Sequence, residues 1–190
     1  MSQQELLKNL VGALTSNDIP YMLTGSLVSS LQGEPRATHD IDVIIIIDSA
    51  KVDNLISCFS PDQYYLNRNS VQNAIDQRGM FNIISSREGM KIDFWILTDS
   101  PFDQSRFSRR YMENLMGIEM AVSRPEDTIL AKLSWAKLCG GSEKQFTDAL
   151  RVFEVQYERL EMEYIEDWAK KLNIGDIWKR LKEEARICKG

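Results

Sequence analysis

The stretch HDIDVIIIID, residues 39–48, decides how the rest of the chain is read. Val43 to Ile47 is an unbroken β-branched apolar run, the signature of a strand buried on both faces. Two carboxylates, Asp40 and Asp42, stand at its head, and a charge entering an apolar environment is costly unless something offsets it. Residues two apart on a strand share a face, so the two side chains lie side by side. Like charges that close raise at least one proton affinity unless a cation neutralises both. Oxygen-only ligands suit a hard ion such as magnesium, or manganese in its place. Alone, an Asp-x-Asp pair is common, and a turn cap followed by a solvated strand-end acid explains it more simply.

The surroundings change that balance. Pro20 precedes a short strand, Tyr21 to Thr24, and Gly25-Ser26 then turns the chain into a helix reaching Gln32. A glycine permits close backbone approach, a helix N-terminus presents amide donors and the serine adds a hydroxyl, which together make a phosphate cradle. The same pair also makes an ordinary helix cap. Gly33-Glu34-Pro35-Arg36 is a loop. Downstream, about 80–86 and 90–97 read as strands joined by Arg87-Glu88-Gly89, a hairpin signal. The second contains Lys91-Ile92-Asp93-Phe94-Trp95. Aspartate is depleted from strand interiors, so Asp93 stands out as a third carboxylate that would complete a site for two metal ions.

The remaining elements give the organisation. Leu6, Leu7, Leu10, Val11 and Leu14 follow helical spacing, and the strand near 41–47 leads into a helix at about 50–59. Strand-like character at 117–123 gives way to Arg124-Pro125-Glu126-Asp127, a proline and two acids that open a helix. Helices are expected over about 126–138, 143–158, 161–172 and 174–185. The fold class is therefore α+β: a small mixed sheet with helices over 1–123, then a helical bundle over 124–190.

Bulk properties exclude several functions. The longest strictly apolar run is five residues, far short of the roughly 20 that span a bilayer, so no membrane partner is expected. The polar start, Met1-Ser2-Gln3-Gln4-Glu5, has no secretory pattern, and Cys58, Cys139 and Cys188 are odd in number and scattered. Both features fit a cytoplasmic protein with reduced thiols. A net charge of -5 leaves no overall basic footprint for nucleic acid. Residues 1–105 hold 7 Lys/Arg against 13 Asp/Glu, whereas residues 106–145 hold 7 against 5; the acidic half would welcome a cation. No Gly-x-Ser-x-Gly elbow or Gly-x-x-x-x-Gly-Lys-Ser/Thr loop is present, which argues against a serine hydrolase or a P-loop enzyme.

Gly25-Ser26, a spacer of thirteen residues, Asp40-Ile41-Asp42 and a later strand Asp93 together resemble the nucleotidyltransferase superfamily with the DNA polymerase β-type fold. TGSLVSSLQGEPRATHDIDV looks like bacterial stand-alone members related to the abortive-infection (type IV toxin) group. SRPEDTILAKLSWAKL with DALRVF is similar to that group's helical half, so the resemblance spans about residues 20–170. It implies that Asp40, Asp42 and Asp93 bind magnesium or manganese, Asp93 also assisting the attacking hydroxyl. It further implies that Gly25 and Ser26 hold the phosphates of an NTP such as ATP, that Lys132 contacts phosphate, and that Asp148 lies on the acceptor side. The spacer exceeds that of the minimal family members, and the Gly33–Arg36 loop absorbs the excess.

Arg36 has the chemistry to reach a phosphate bidentately, or to anchor its loop in an ion pair. The resemblance implies transfer of an NMP to a hydroxyl on RNA, protein or a small molecule, with toxin–antitoxin or phage-defence roles in view and the oligomeric state open. One alternative is a catalytically silent, nucleotide-binding regulator; another is an enzyme acting on small hydroxylated molecules such as aminoglycosides. His39 is out of phase with Asp40 and Asp42 and should face away. The Arg106–Arg110 segment reads as a solvated turn, and Trp135, Trp168 and Trp178 read as core.

Overall fold

The computed structural model of the chain describes residues 2–86, 89–115 and 117–187. The Arg87-Glu88 turn and Cys188 lie outside the described residues. The strands are β1 (Tyr21–Thr24), β2 (Asp40–Ile45), β3 (Tyr64–Tyr65), β4 (Met80–Ser85), β5 (Lys91–Ile96), β6 (Tyr111–Leu115) and β7 (Ile118–Val122). The α-helices are α1 (Gln3–Ser16), α2 (Gly25–Gln32), α3 (Val52–Ser57), α4 (Arg68–Gln77) and α5 (Pro101–Ser108), then α6 (Pro125–Leu138), α7 (Glu143–Gln156), α8 (Met162–Lys171) and α9 (Gly175–Glu184). The architecture is α+β, as the sequence implies. None of the described helices is long and apolar enough to cross a membrane.

The chain divides into two compact units: Met1–Thr24 with Thr38–Val122, and Gly25–Ala37 with Ser123–Gly190. The first holds the sheet, in the order β3-β4-β5-β2-β1-β7-β6. Strands β2 and β5 run parallel, as do β1 and β7, and the other neighbours are antiparallel. The apolar run in β2 takes a central position, where Ile41, Val43, Ile44 and Ile45 are buried, which is why both of its faces are greasy. At the far end of the face that carries Asp42, Met22, Ile44 and Leu97 pack with Phe107 of α5, and Trp95 covers them. On the opposite face Phe81 and Phe94 stack across β4 and β5 with ring centroids 4.7 Å apart.

Several parts of this unit differ from the sequence expectation, among them α4, a helix that the sequence reading does not name. The sheet includes two strands that the sequence reading does not name, because β3 is two residues long and β6 is a mostly exposed edge strand, neither with a strong apolar signal. Pro101–Ser108 is a helix, capped by Ser100 with Pro101 in its first turn, so only Arg109 and Arg110 of the basic segment follow the helix. Within it Arg106 pairs with Asp103, and the Arg110 guanidinium lies over the Phe107 ring. The helix expected at 50–59 is a 3-10 turn over Ser49–Lys51 followed by α3.

The second unit packs α2 with α6 and α7, and α8 and α9 beside them. Gly33 makes the α2–α7 approach possible: a Cβ there would meet Val152 N at 2.8 Å and the Arg151 carbonyl carbon at 2.9 Å. Gln32 ties the same region together, donating to the Ser123 carbonyl while its own carbonyl accepts from Gln156. The α6 N-terminus buries Glu126 and Asp127, where acids favour the helix dipole; Tyr164 donates to Asp127 at 2.6 Å and the Glu161 amide donates to Glu126. Trp178 is core, but Trp168 is half-buried and Trp135 is 46% exposed, so the expectation of a buried Trp135 is corrected. Trp135 lies on the solvent side of α6, beyond its apolar stripe of Ile129, Leu130, Leu133 and Ala136.

Candidate active site

The first unit carries an acidic cluster created by strand register. Strands β2 and β5 pair so that Asp42 lies opposite Asp93 and Asp40 opposite Lys91. Directly paired residues share a face, so all four side chains project on one side of the sheet. Burial deepens along the set: Asp40 is exposed, Asp42 half-buried and Asp93 only 7% exposed. Asp93 Oδ2 accepts from the Lys91 ammonium at 2.8 Å, while its Oδ1 is buried with no hydrogen-bond partner. Trp95 Nε1 reaches Asp42 Oδ1 at 3.4 Å. The bond to Asp93 raises the Lys91 pKa against the opposing effect of burial, and the charges of Asp93, Asp40 and Asp42 add to the rise.

The donor set suits a hard divalent cation: three carboxylates, one oxygen of which is buried without a partner. As they stand, no three His, Cys, Asp or Glu side chains among the described residues are gathered so as to hold one ion. The cation against the innermost carboxylate is Lys91. His39 is exposed, and its carbonyl accepts the Lys91 amide, so its part here is backbone pairing.

Strand β1 ends at Thr24, whose register partner is Asp42. Gly25, the next residue, has φ +68°, a left-handed conformation that favours glycine. It starts α2 and belongs to the second unit, which carries a cluster of its own. Arg36 grips Asp148 bidentately, Nε to Oδ1 at 2.9 Å and Nη2 to Oδ2 at 2.8 Å, and Nη2 also donates to Ser26 Oγ at 2.8 Å. Lys132 donates to Asp148 Oδ2 at 2.8 Å and lies 3.4 Å from Ser26 Oγ. Lys132 and Asp148 are buried on α6 and α7, and the Arg36 side chain is 31% exposed. Burial pushes the Asp148 carboxyl up, but the hydrogen bonds from Arg36 and Lys132 outweigh it and leave the pKa below the usual carboxylate value. Asp148 in turn raises the Arg36 pKa.

The candidate residues thus fall into two groups: Asp40, Asp42 and Asp93 in one unit, and Gly25, Ser26, Arg36, Lys132 and Asp148 in the other. Of the two chemistries open to Arg36, the ion pair is made, and it is made to Asp148. Lys91 is absent from the sequence-derived set. Its signal was available, since it precedes Asp93 by two residues on the same strand and therefore shares its face.

No family model matches the chain, and no curated protein matches it in sequence. Solved structures do. The solution structure of the antibiotic-resistance factor ANT(2'')-Ia aligns over 95% of this chain and 95% of its own, at 12% identity and TM-score 0.57. A crystal structure of ANT(2'')-Ia in complex with adenylyl-2''-tobramycin aligns over 91% of this chain and 98% of its own, at 11% identity and TM-score 0.55. An antigenic nucleotidyltransferase-like protein from Paracoccidioides brasiliensis aligns over 97% and 93%, at 18% identity and TM-score 0.47. At these identities the likeness is one of fold. The chain has the nucleotidyltransferase fold.

Proposed function

We propose that the protein transfers a nucleoside monophosphate from an NTP to a hydroxyl on an acceptor, with magnesium or manganese as cofactor. The observation that carries this reading is the register of β2 and β5, which sets Asp42 and Asp93 opposite each other on one face with a buried carboxylate oxygen left without a partner. Two carboxylates side by side, with a third two residues away, are unfavourable for a surface that has only itself to stabilise. They are well suited to a divalent cation.

In this reading Asp40, Asp42 and Asp93 hold the ion, whose charge, when bound, offsets that building on the phosphoryl oxygens. Asp93 takes the proton of the acceptor hydroxyl as its oxygen bonds to the α-phosphorus. The bond from that phosphorus to the bridging oxygen breaks, and pyrophosphate leaves with the electron pair. Ser26, Arg36 and Lys132 present a hydroxyl and two cations against the single carboxylate of Asp148, a net positive group suited to the phosphates of the donor. Asp148 aligns the two cations, and Gly25 sets the turn that opens α2. Little covalent chemistry falls to the protein, so positioning and charge neutralisation supply the catalysis.

For the acceptor, we favour a small hydroxylated molecule that carries positive charge. The acidic excess of residues 1–105 supports this choice, because a large RNA acceptor draws its affinity from basic contacts to phosphate. The adenylylated aminoglycoside in the ANT(2'')-Ia complex is a molecule of that class. The test is incubation of the pure protein with each NTP labelled at the α-phosphate, magnesium, and panels of aminoglycosides, RNA and cell extract. Label should pass to an aminocyclitol-type acceptor in the wild type and not in Asp42→Asn. NTP binding without transfer to any acceptor would favour the silent regulatory protein instead. A role in a toxin–antitoxin pair would appear as growth arrest on expression that Asp42→Asn relieves.

A further inference from the structure

We propose that the Lys91 ammonium is a built-in counter-ion of the acidic cluster, held against Asp93 until a divalent cation takes its place, so that Lys91 sets how tightly the metal binds. The inference rests on the reading of Asp40, Asp42 and Asp93 as metal ligands and adds a residue to it. Register brings the lysine there: Lys91 is directly opposite Asp40 and two residues before Asp93, on the face that all the acids share. Its ammonium sits 2.8 Å from Asp93 Oδ2, against a carboxylate whose other oxygen is buried without a partner. One positive charge placed among three negative ones lowers their mutual repulsion in the absence of metal.

A divalent ion offers the same carboxylates twice the charge and more ligand positions, and it competes for Asp93 Oδ2. The flexible four-carbon stem lets Lys91 move away with its proton retained. Its side chain is 33% exposed, so solvent is within reach when it swings out. The displacement has two consequences. Metal affinity is held below what the carboxylates alone would give, and the cluster stays compatible with a folded sheet when no metal is bound. Lys91 is in this sense a positioning residue, acting through Asp93.

The test compares wild type, Lys91→Gln and Lys91→Arg by manganese titration, with free ion read by electron paramagnetic resonance, and by thermal melting in EDTA and in manganese. Removing a competing, partly solvated ion pair should tighten manganese binding roughly two- to fivefold in Lys91→Gln, while Lys91→Arg stays near wild type. The Lys91→Gln midpoint should fall in EDTA and recover on manganese by more than the wild-type gain. A purely structural lysine would lower the midpoint without tightening the metal, and that result overturns the proposal while leaving the metal reading intact. Failure of wild type and both variants to bind manganese overturns both together. Should Lys91→Gln not fold, amine footprinting of the wild type decides: Lys91 must become more reactive when magnesium is added, and unchanged reactivity overturns the proposal.

Discussion

Replacing Asp148 with alanine takes one carboxylate away from two cations at once. The contact to Lys132 is 2.8 Å long between side chains 6% and 8% exposed, so the lysine charge is left in an interior that has lost its main counter-ion. Removing one partner of such a buried pair costs about 3–5 kcal/mol. The Arg36 side chain is 31% exposed and solvent screens its share, which adds at most about 1 kcal/mol. We therefore expect Asp148→Ala to lose about 3–6 kcal/mol, a midpoint drop of roughly 6–24 °C for a chain of this size. Urea unfolding of wild type, Asp148→Ala, Lys132→Met and the double variant isolates the pair. The double variant should be more stable than the sum of the single losses predicts by about 2 kcal/mol, because no unpaired buried charge remains. Additive losses would refute the account of a buried, mutually dependent pair. The pH dependence has a definite sign. The folded-state pKa of Asp148 lies below the unfolded value, so its contribution is complete above the ordinary carboxylate range, near 3.8, and is lost as pH falls from there through the depressed value. Acid titration of wild-type stability should show that loss, and Asp148→Asn should lack it.

Further tests concern the backbone and the acidic cluster. Gly33→Ala should destabilise the protein by about 1–3 kcal/mol, because the new methyl meets the backbone of α7 rather than a side chain that can move; urea midpoints check this. Gly25→Ala, at φ +68°, should cost about 1–2 kcal/mol in the same assay. Asp42→Asn removes a like charge directly opposite Asp93. In EDTA it should melt higher than wild type by an amount worth about 0.2–1 kcal/mol, even as transfer is lost.

The sequence yields the central features because they are local. The Val43–Ile47 run identifies β2, the period of two puts Asp40 and Asp42 on one face, and an aspartate inside an apolar strand marks β5. The helices from Pro125 onward are equally plain, with breaks at Pro125, Gly140-Gly141 and Asn173 to Gly175, although the junction of α7 and α8 has no such residue. What the sequence hides is non-local or weak. Arg36 and Asp148 are 112 residues apart, and nothing in either segment names its partner. The inclusion of Gly25–Ala37 in the helical unit depends on the Gly33 contact with α7, which is tertiary. Strand β6 is a mostly exposed edge, Tyr111–Leu115, whose ladder partner β7 rather than its composition makes it a strand. Lys91 was legible by phase alone, but a lysine beside an acid on a strand looks ordinary until register shows Asp40 and Asp42 on the same face.

The most direct measurement is a crystal grown with manganese and a non-hydrolysable NTP, with the ion located by anomalous scattering. The account predicts an anomalous peak at ligating distance from the carboxylates of Asp42 and Asp93, with the Lys91 ammonium withdrawn from Asp93. A nucleotide bound with no ion at these carboxylates, or an ion held elsewhere while Lys91 keeps its contact, would contradict it.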